Sequence, residues 1–362
     1  MKLLHVTSTH LKPDGGIPVV LKELVTAQNR IENVNALVIS LVARVDDMNS
    51  DFFRYVSTDK FERFVLDFNP DFVILHSFYY LKYNKVVRVL TKHKILFFIE
   101  PHGSFGNAAM KKSKIKKYIA NCTVFRKQLK NSFGYIFLND SEKMDSVYRT
   151  DNDIVIPNGI NSFSLKKFNN TNNYNSIYYI GRYDINHKGI DYLMDALQII
   201  DNEGCMIEVN MWGAGDEKSI SYISNRIKNF QNLKVYCHDS IYGKEKASML
   251  EQYGPMILTS RYEGFPMTVL EGWMYGNPCI VTPGTNVWDE VVNNNLGWGV
   301  ELDALSIAHG IVQAVEMYKS NKNQYIENCK NYVLKNYSWD KIAEDSIMKL
   351  RKLQLEVSLE NK

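Results

Sequence analysis

A chain of 362 residues, 45% apolar and 23% charged, is too long for one ordinary core and comfortable for two, which excludes a disordered chain or a small stapled scaffold. Its net charge is only +3, yet from Lys82 to Lys130 thirteen lysines and arginines face one acid, Glu100, so a block of +12 sits in a remainder of −9. Five scattered cysteines without a Cys-x-x-Cys pair argue against a disulfide framework or a zinc site and suit a reducing compartment.

Runs rich in β-branched and aromatic residues predict strands at 3–6, 37–41, 72–75, 95–99, 135–138 and 154–156. A second series follows at 177–180, 207–211, 233–236, 256–259 and 279–281. Continuous apolar strands alternating with helical patterns mean parallel sheets covered on both faces, and two series mean two doubly wound α/β domains. The joint is expected at 161–175, where Asn, Ser and Lys cluster and periodicity vanishes. The expected division is 1–165, 166–335 and a C-terminal helix over 336–362 that packs back toward the first domain. The longest apolar run, 95–99, is far too short to span a bilayer, and the residues before His5 are too few for a signal peptide. The expected location is cytoplasmic, with any membrane contact peripheral and at the inner face.

Ligands of open parallel sheets sit beyond the C-terminal ends of the strands, and the informative residues follow strands here. After the first strand comes Pro13-Asp14-Gly15-Gly16-Ile17, then a helical spacing through Val20, Leu21, Leu24 and Val25. Gly15 and Gly16 allow backbone to approach a phosphate at a helix start, and an ordinary turn fits them equally well. The pair is neither a Walker loop nor a G-x-G-x-x-G fingerprint. After 177–180 come Gly181-Arg182 and then Lys188-Gly189, ahead of a helical pattern. A forked guanidinium and a point charge suit a diphosphate, and a solvated pair beside Asp184 and Asp191 is the plainer alternative. After 207–211, Trp212-Gly213-Ala214-Gly215-Asp216 is a turn tight enough for close approach.

The strongest local signal is Arg261-Tyr262-Glu263-Gly264-Phe265-Pro266-Met267-Thr268-Val269-Leu270-Glu271. Glu263 follows a strand, Gly264 and Pro266 mark a loop opening into a helix, and Glu271 falls inside that helix. A carboxylate in such a loop can take two sugar hydroxyls, and a second one down the helix can grip a ribose. Each charge-assisted bond is worth roughly 1.5–3 kcal/mol. The apolar flank makes full solvation of both acids a poor account.

Gly181-Arg182 with Lys188-Gly189, Gly213-x-Gly215 and Glu263-Gly264-Phe265-Pro266 followed by Glu271 resemble the C-terminal motifs of retaining glycosyltransferases of family 4. Gly15-Gly16, Pro101-His102-Gly103-Ser104, Ser141-Glu142, Ile156-Pro157-Asn158-Gly159-Ile160 and Tyr337-Ser338-Trp339 are similar to that family too, so the likeness runs through nearly the whole chain. The resemblance implies a GT-B architecture, two Rossmann-like domains facing across a cleft. It implies that Arg182 and Lys188 neutralise the diphosphate, that Glu271 holds the ribose and that Glu263 binds donor-sugar hydroxyls. His102 is implied at the anomeric centre, with backbone amides near Gly15, Gly16, Phe265 and Met267 completing the cradle.

A retaining hexosyl transfer from a nucleotide-sugar, UDP favoured over GDP, to a saccharide or lipid-linked saccharide of a surface polysaccharide is therefore expected. The nucleotide-sugar is a co-substrate, and no obligatory cofactor or metal is expected. Asp151-Asn152-Asp153 has the metal-binding form of another transferase fold, but it precedes a predicted strand and reads as a polar turn. Two other activities share the fold: an epimerase, which needs no acceptor, and a non-catalytic partner subunit. Lys111, Lys112, Lys114, Lys116 and Lys117, continued by Arg126 and Lys127, interleave with aliphatic and aromatic residues. They suit either an anionic membrane surface or a solvated face. Nucleic acid is excluded as a partner because the basic patch is local and no recognition motif accompanies it. The sequence leaves the oligomeric state open.

Overall fold

The structure is a computed structural model and describes residues 1–9, 16–42, 51–111, 114–160 and 175–360. The predicted joint at 161–175 therefore lies, but for its last residue, outside the described residues. Met1–Asn161 and Ser338–Lys362 form one unit, and Ser162–Tyr337 form the other.

The first unit holds β1 (Lys2–Thr7), β2 (Asn35–Ser40), β3 (Phe53–Tyr55), β4 (Phe72–His76), β5 (Phe97–Glu100), β6 (Gly134–Phe137) and β7 (Ile154–Val155). They order as β3-β2-β1-β4-β5-β6-β7, with every pairing parallel. The second unit holds β8 (Ser176–Ile180), β9 (Glu208–Trp212), β10 (Lys234–His238), β11 (Met256–Leu258), β12 (Cys279–Val281) and β13 (Gly297–Gly299). Their order is β10-β9-β8-β11-β12-β13, again all parallel. Each unit is a Rossmann-like domain. In each the order reverses once, between β1 and β4 and between β8 and β11, and those reversals open the crevice where such sheets bind ligands.

All eleven predicted strands are present. β3 and β13 were not predicted, because three residues carry no periodicity and Gly297-Trp298-Gly299 has a glycine at each end. Central strands are sealed on both faces: every residue of β4, β5, β6 and β8 is buried. That is why they read as unbroken apolar runs without alternation.

The helix Trp339–Glu360 lies on the helix Gly16–Gln28 of the first unit. Gln28 Nε2 donates to Ser346 Oγ at 3.2 Å, and Arg30 pairs with Asp340 at 2.8 Å. At Gly159 a side chain would strike the Trp339 ring within 2.6 Å, so glycine is needed where the helix begins. Among the described residues no helix is long and apolar enough to cross a membrane.

Candidate active site

In the second unit the candidate site side chains come from the two strands that flank the reversal. β8 leads into Gly181-Arg182 and the short helix Ile185–Lys188, whose Asp184 cap accepts from the His187 amide at 2.9 Å. β11 leads into Thr259-Ser260 and the loop to Pro266. The two loops are stitched together. Thr259 Oγ1 meets the carbonyls of Lys188 and Gly189 at 3.0 and 3.2 Å, the Arg261 amide donates to His187 O at 3.0 Å, and Arg261 holds Asp191 through two bonds of 2.8 and 2.6 Å.

This stitching brings Lys188 onto Glu263. Their Nζ and Oε1 form a close ion pair, with side chains 14% and 9% exposed. Ser260 Oγ donates to the same oxygen at 2.5 Å, and Asn286 Nδ2 donates to the Glu263 carbonyl at 2.6 Å. His187 stacks on Tyr262 with ring centres 4.4 Å apart, and its Nδ1 lies 3.3 Å from an exposed Arg182 nitrogen. Burial holds His187 below its ordinary pKa, against the pull of Glu263 at 4.0 Å. Lys188 and Glu263 are half-buried, where electrostatic contacts are strong, and the exposed Arg182 adds a second cation at the rim.

The helix Met267–Met274 starts at Pro266 with no side-chain cap and no acid in its first turn, so its positive end is uncompensated by side chains. The Met267 and Val269 amides already donate to the Phe265 and Pro266 carbonyls at 3.0 and 2.9 Å. Gly264, Phe265, Met267 and Thr268 surround that start and are all half-buried. Glu271, one turn further on, is paired with Lys246 at 2.5 Å. Gly213 has a different role: a Cβ there would lie 2.0 Å from Gly181 O, so the glycine lets the loops after β8 and β9 cross. Gly16 opens its helix, and Gly15 lies outside the described residues.

In the first unit His102 follows β5 with φ 48°, a left-handed conformation that costs a β-carbon residue about 1–2 kcal/mol. Two neighbours hold it there. Phe105 is buried with its ring among Phe78, Tyr135 and Tyr148. Glu142 accepts from the Gly103 amide at 2.6 Å and the Leu138 amide at 2.7 Å. Burial raises the Glu142 pKa. His102 Nε2 faces Glu100 Oε1 at 3.5 Å and His76 Nδ1 at 3.4 Å. Among the described residues these three side chains are the group whose ligand atoms converge closely enough to hold a metal ion. Asp153, by contrast, spends its carboxylate on the amides of Tyr135 and Thr150 and the Thr150 hydroxyl, at 2.8 Å each, and ties a turn.

Among the described residues the basic stretch holds helix over Asn107–Lys111, Lys114–Cys122 and Arg126–Asn131. Lys111, Lys114, Lys116, Arg126 and Lys127 are exposed, and Lys112 lies outside the described residues. Lys117 turns inward, donating to Ala109 O at 2.7 Å and sitting over the Tyr79 ring. Ile115, Tyr118 and Ile119 are 75%, 68% and 56% exposed. Beside them Met110, Ile115, Tyr118, Val147 and Tyr148 line an open groove of about 640 Å³ with Lys111 and Lys114.

Lys246, Ser260, His187 and Asn286 were not singled out from the sequence, because their proximity to the acids is made by the sheet and by no local pattern. His5 and His76 escaped for a related reason. Each sits within a strand that reads as core.

Residues 174–317 match the family model "Glycosyl transferases group 1", so the second unit carries the sequence pattern of that family. An uncharacterized glycosyltransferase of Methanocaldococcus jannaschii is 28% identical over 210 residues, 57% of this chain and 54% of that protein. The chain thus spans about half the length of the curated relative it matches. A crystal structure of a glycosyltransferase from Rickettsia africae superposes with a TM-score of 0.72 at 18% identity, covering 97% of this chain and 98% of that one. HepE of Anabaena in complex with UDP does so at 0.70 and 13%, covering 97% and 100%. The fold is that of the GT-B glycosyltransferases.

Proposed function

We propose that the chain is a retaining glycosyltransferase that moves a hexose-type unit from a nucleotide-sugar, UDP-linked by preference, to a saccharide or lipid-linked saccharide of a surface polysaccharide. The observation that carries this reading is the meeting of Lys188 and Glu263 beside Arg182 at the reversal of the second sheet. The matched family pattern over 174–317 and the UDP held by the similar HepE support the donor class.

In this reading Arg182 and Lys188 take the charge that develops on the departing diphosphate, the main electrostatic need of the reaction. The positive end of the helix Met267–Met274 adds its dipole to the same anion. Glu263 accepts hydroxyls of the sugar, Glu271 accepts those of the ribose, and His102 binds the sugar at its reacting carbon. The bond from that carbon to the phosphate oxygen breaks while the acceptor oxygen bonds on the same face. The acceptor's proton passes to the departing phosphate. Protein cations serve the phosphate throughout, so the transfer needs no metal.

The test is a thermal-shift screen of nucleoside diphosphates followed by a transfer assay in EDTA. UDP at a hundred times its dissociation constant should stabilise the protein by about 2.7 kcal/mol, and GDP should do less. Hexose should then move to an acceptor in excess EDTA. No shift with any diphosphate, or activity that returns only with manganese, would overturn the reading.

The exposed lysines and the isoleucine and tyrosine between them support a place on an anionic membrane face, each lysine contributing about 1 kcal/mol there. Replacing Lys111, Lys114 and Lys116 with Ser should lower flotation with anionic vesicles and flatten its salt dependence. UDP binding should stay at the wild-type level, since Arg182 and Lys188 are unaltered. Flotation equal to wild type would reduce the lysines to a solvated face.

A further inference from the structure

Behind His102 a line of buried polar groups crosses the first sheet, and the transfer chemistry leaves it unused. Ser346 Oγ donates to Ala343 O at 2.8 Å, so toward Gln28 it accepts, from Nε2 at 3.2 Å. That orients the amide and points Gln28 Oε1 at His5 Nε2, 3.1 Å away. An oxygen acceptor requires a proton on His5 Nε2. Burial drives the pKa of His5 and of His76 down to about 3, so both rings are neutral and carry one proton each. His5 Nδ1 is then bare and accepts from His76 Nε2 at 2.9 Å. His76 Nδ1 is left with a lone pair, aimed at Glu100 Oε2 at 3.1 Å and His102 Nε2 at 3.4 Å.

Two acceptors at 3.1 Å need a proton between them. If Glu100 is protonated, as burial favours, its Oε2–H donates to His76. Its Oε1 is then an acceptor facing His102 Nε2. An ionised Glu100 would leave the 3.1 Å contact with His76 as two acceptors and no proton, so the acid is protonated. Placing the Glu100 proton on Oε1 instead would leave the shorter contact, to His76, with none. With the proton on Oε2, His102 Nε2 faces the acceptor Oε1 and carries a hydrogen. Glu142, the other buried acid nearby, spends its two oxygens on the Gly103 and Leu138 amides and stays out of the line.

We propose that Gln28, His5, His76 and Glu100 are positioning residues that fix the tautomer of His102. Its Nε2–H is held inward, and Nδ1 is presented as a hydrogen-bond acceptor to a hydroxyl of the sugar. The sugar rests on the transferase reading; the tautomer does not. Within that reading His102 meets its substrate neutral and as an acceptor, so it favours a ligand that brings a hydroxyl and disfavours a bare carbonyl or a second anion at that point.

Imidazole ¹⁵N spectra of the full chain labelled at histidine test this directly. From pH 6 to 8 the wild type should show His102 protonated at Nε2 alone. Glu100→Gln, the isostere of the protonated acid, should keep that pattern. Glu100→Leu and the remote Gln28→Leu should mix the two His102 tautomers, with kcat falling about tenfold and the donor KM moving little. Equilibrium dialysis against Zn²⁺ should find no bound ion. A His102 proton on Nδ1 in the wild type would overturn the proposal. So would one Zn²⁺ per chain lost in Glu100→Gln, since the three lone pairs would then hold a cation. The spectra need neither donor nor acceptor, so failed transfer with the expected tautomer refutes the enzyme reading and leaves the relay standing.

Discussion

Lys188→Ala lowers turnover about a hundredfold and lowers stability as well, and the two losses separate in a second variant. Lys188 is one of two cations assigned to the departing diphosphate, and losing a preorganised charge from a water-poor site costs about 3 kcal/mol in the transition state. The same change strands Glu263, whose side chain is 9% exposed and keeps, among the described residues, the Ser260 hydroxyl and His187 at 4.0 Å beside it. A buried carboxylate without its cation costs about 3 kcal/mol of folding free energy. Lys188→Ala combined with Glu263→Gln removes the stranded charge, so urea unfolding should recover most of the stability. Turnover and UDP affinity should stay low. Kinetics that recover together with stability would make Lys188 a mere counterion of Glu263.

Gly189→Ala is expected to be the more damaging single methyl. Gly189 sits at φ 63° in a buried turn, and a Cβ there would lie 2.0 Å from the carbonyl oxygen of Thr259. Left-handed strain contributes about 1–2 kcal/mol and overpacking against backbone about 1–3, so a loss near 3 kcal/mol follows. The clash also prises apart the contact that sets Lys188 against Glu263, because Thr259 is bonded to the carbonyls of Lys188 and Gly189. Nucleotide binding should therefore weaken along with the unfolding transition of the second unit. Gly204→Ala is the control: it has a similar φ of 74°, but a Cβ there meets nothing within 4 Å, so its loss should stay near 1 kcal/mol. Equal losses at both positions would show that conformation alone, without the crossing of the loops, accounts for Gly189.

The contrast between those glycines marks what the chain reveals before it folds. Eleven strands were legible because parallel strands buried on both faces must be apolar throughout. Arg182, Lys188 and Glu263 could be singled out because each follows a strand, and Glu271 because it lies one turn into the helix that opens after Glu263. The partners they acquire were not. Lys246 meets Glu271 across 25 positions, and His5 meets His76 across 71. Such pairs are written in the order of the strands, which no window of neighbouring residues contains. Gly213 was read as a turn tight enough for close approach, and the backbone of Gly181 comes close there. A glycine after a strand says only that something comes close.

The helix Trp339–Glu360 gives the first unit a peculiar history. Residues 162–337 of the other unit leave the ribosome between its two parts. The second unit is thus complete in the nascent chain while the first still lacks a wall, an inversion of the usual order in which domains fold as they emerge. The gap falls on the proposed line of polar groups too, for Ser346, which orients Gln28 and through it His5, belongs to the segment made after the second unit. If the proposed tautomer holds, the proton order at His102 is set only once the helix Trp339–Glu360 has docked.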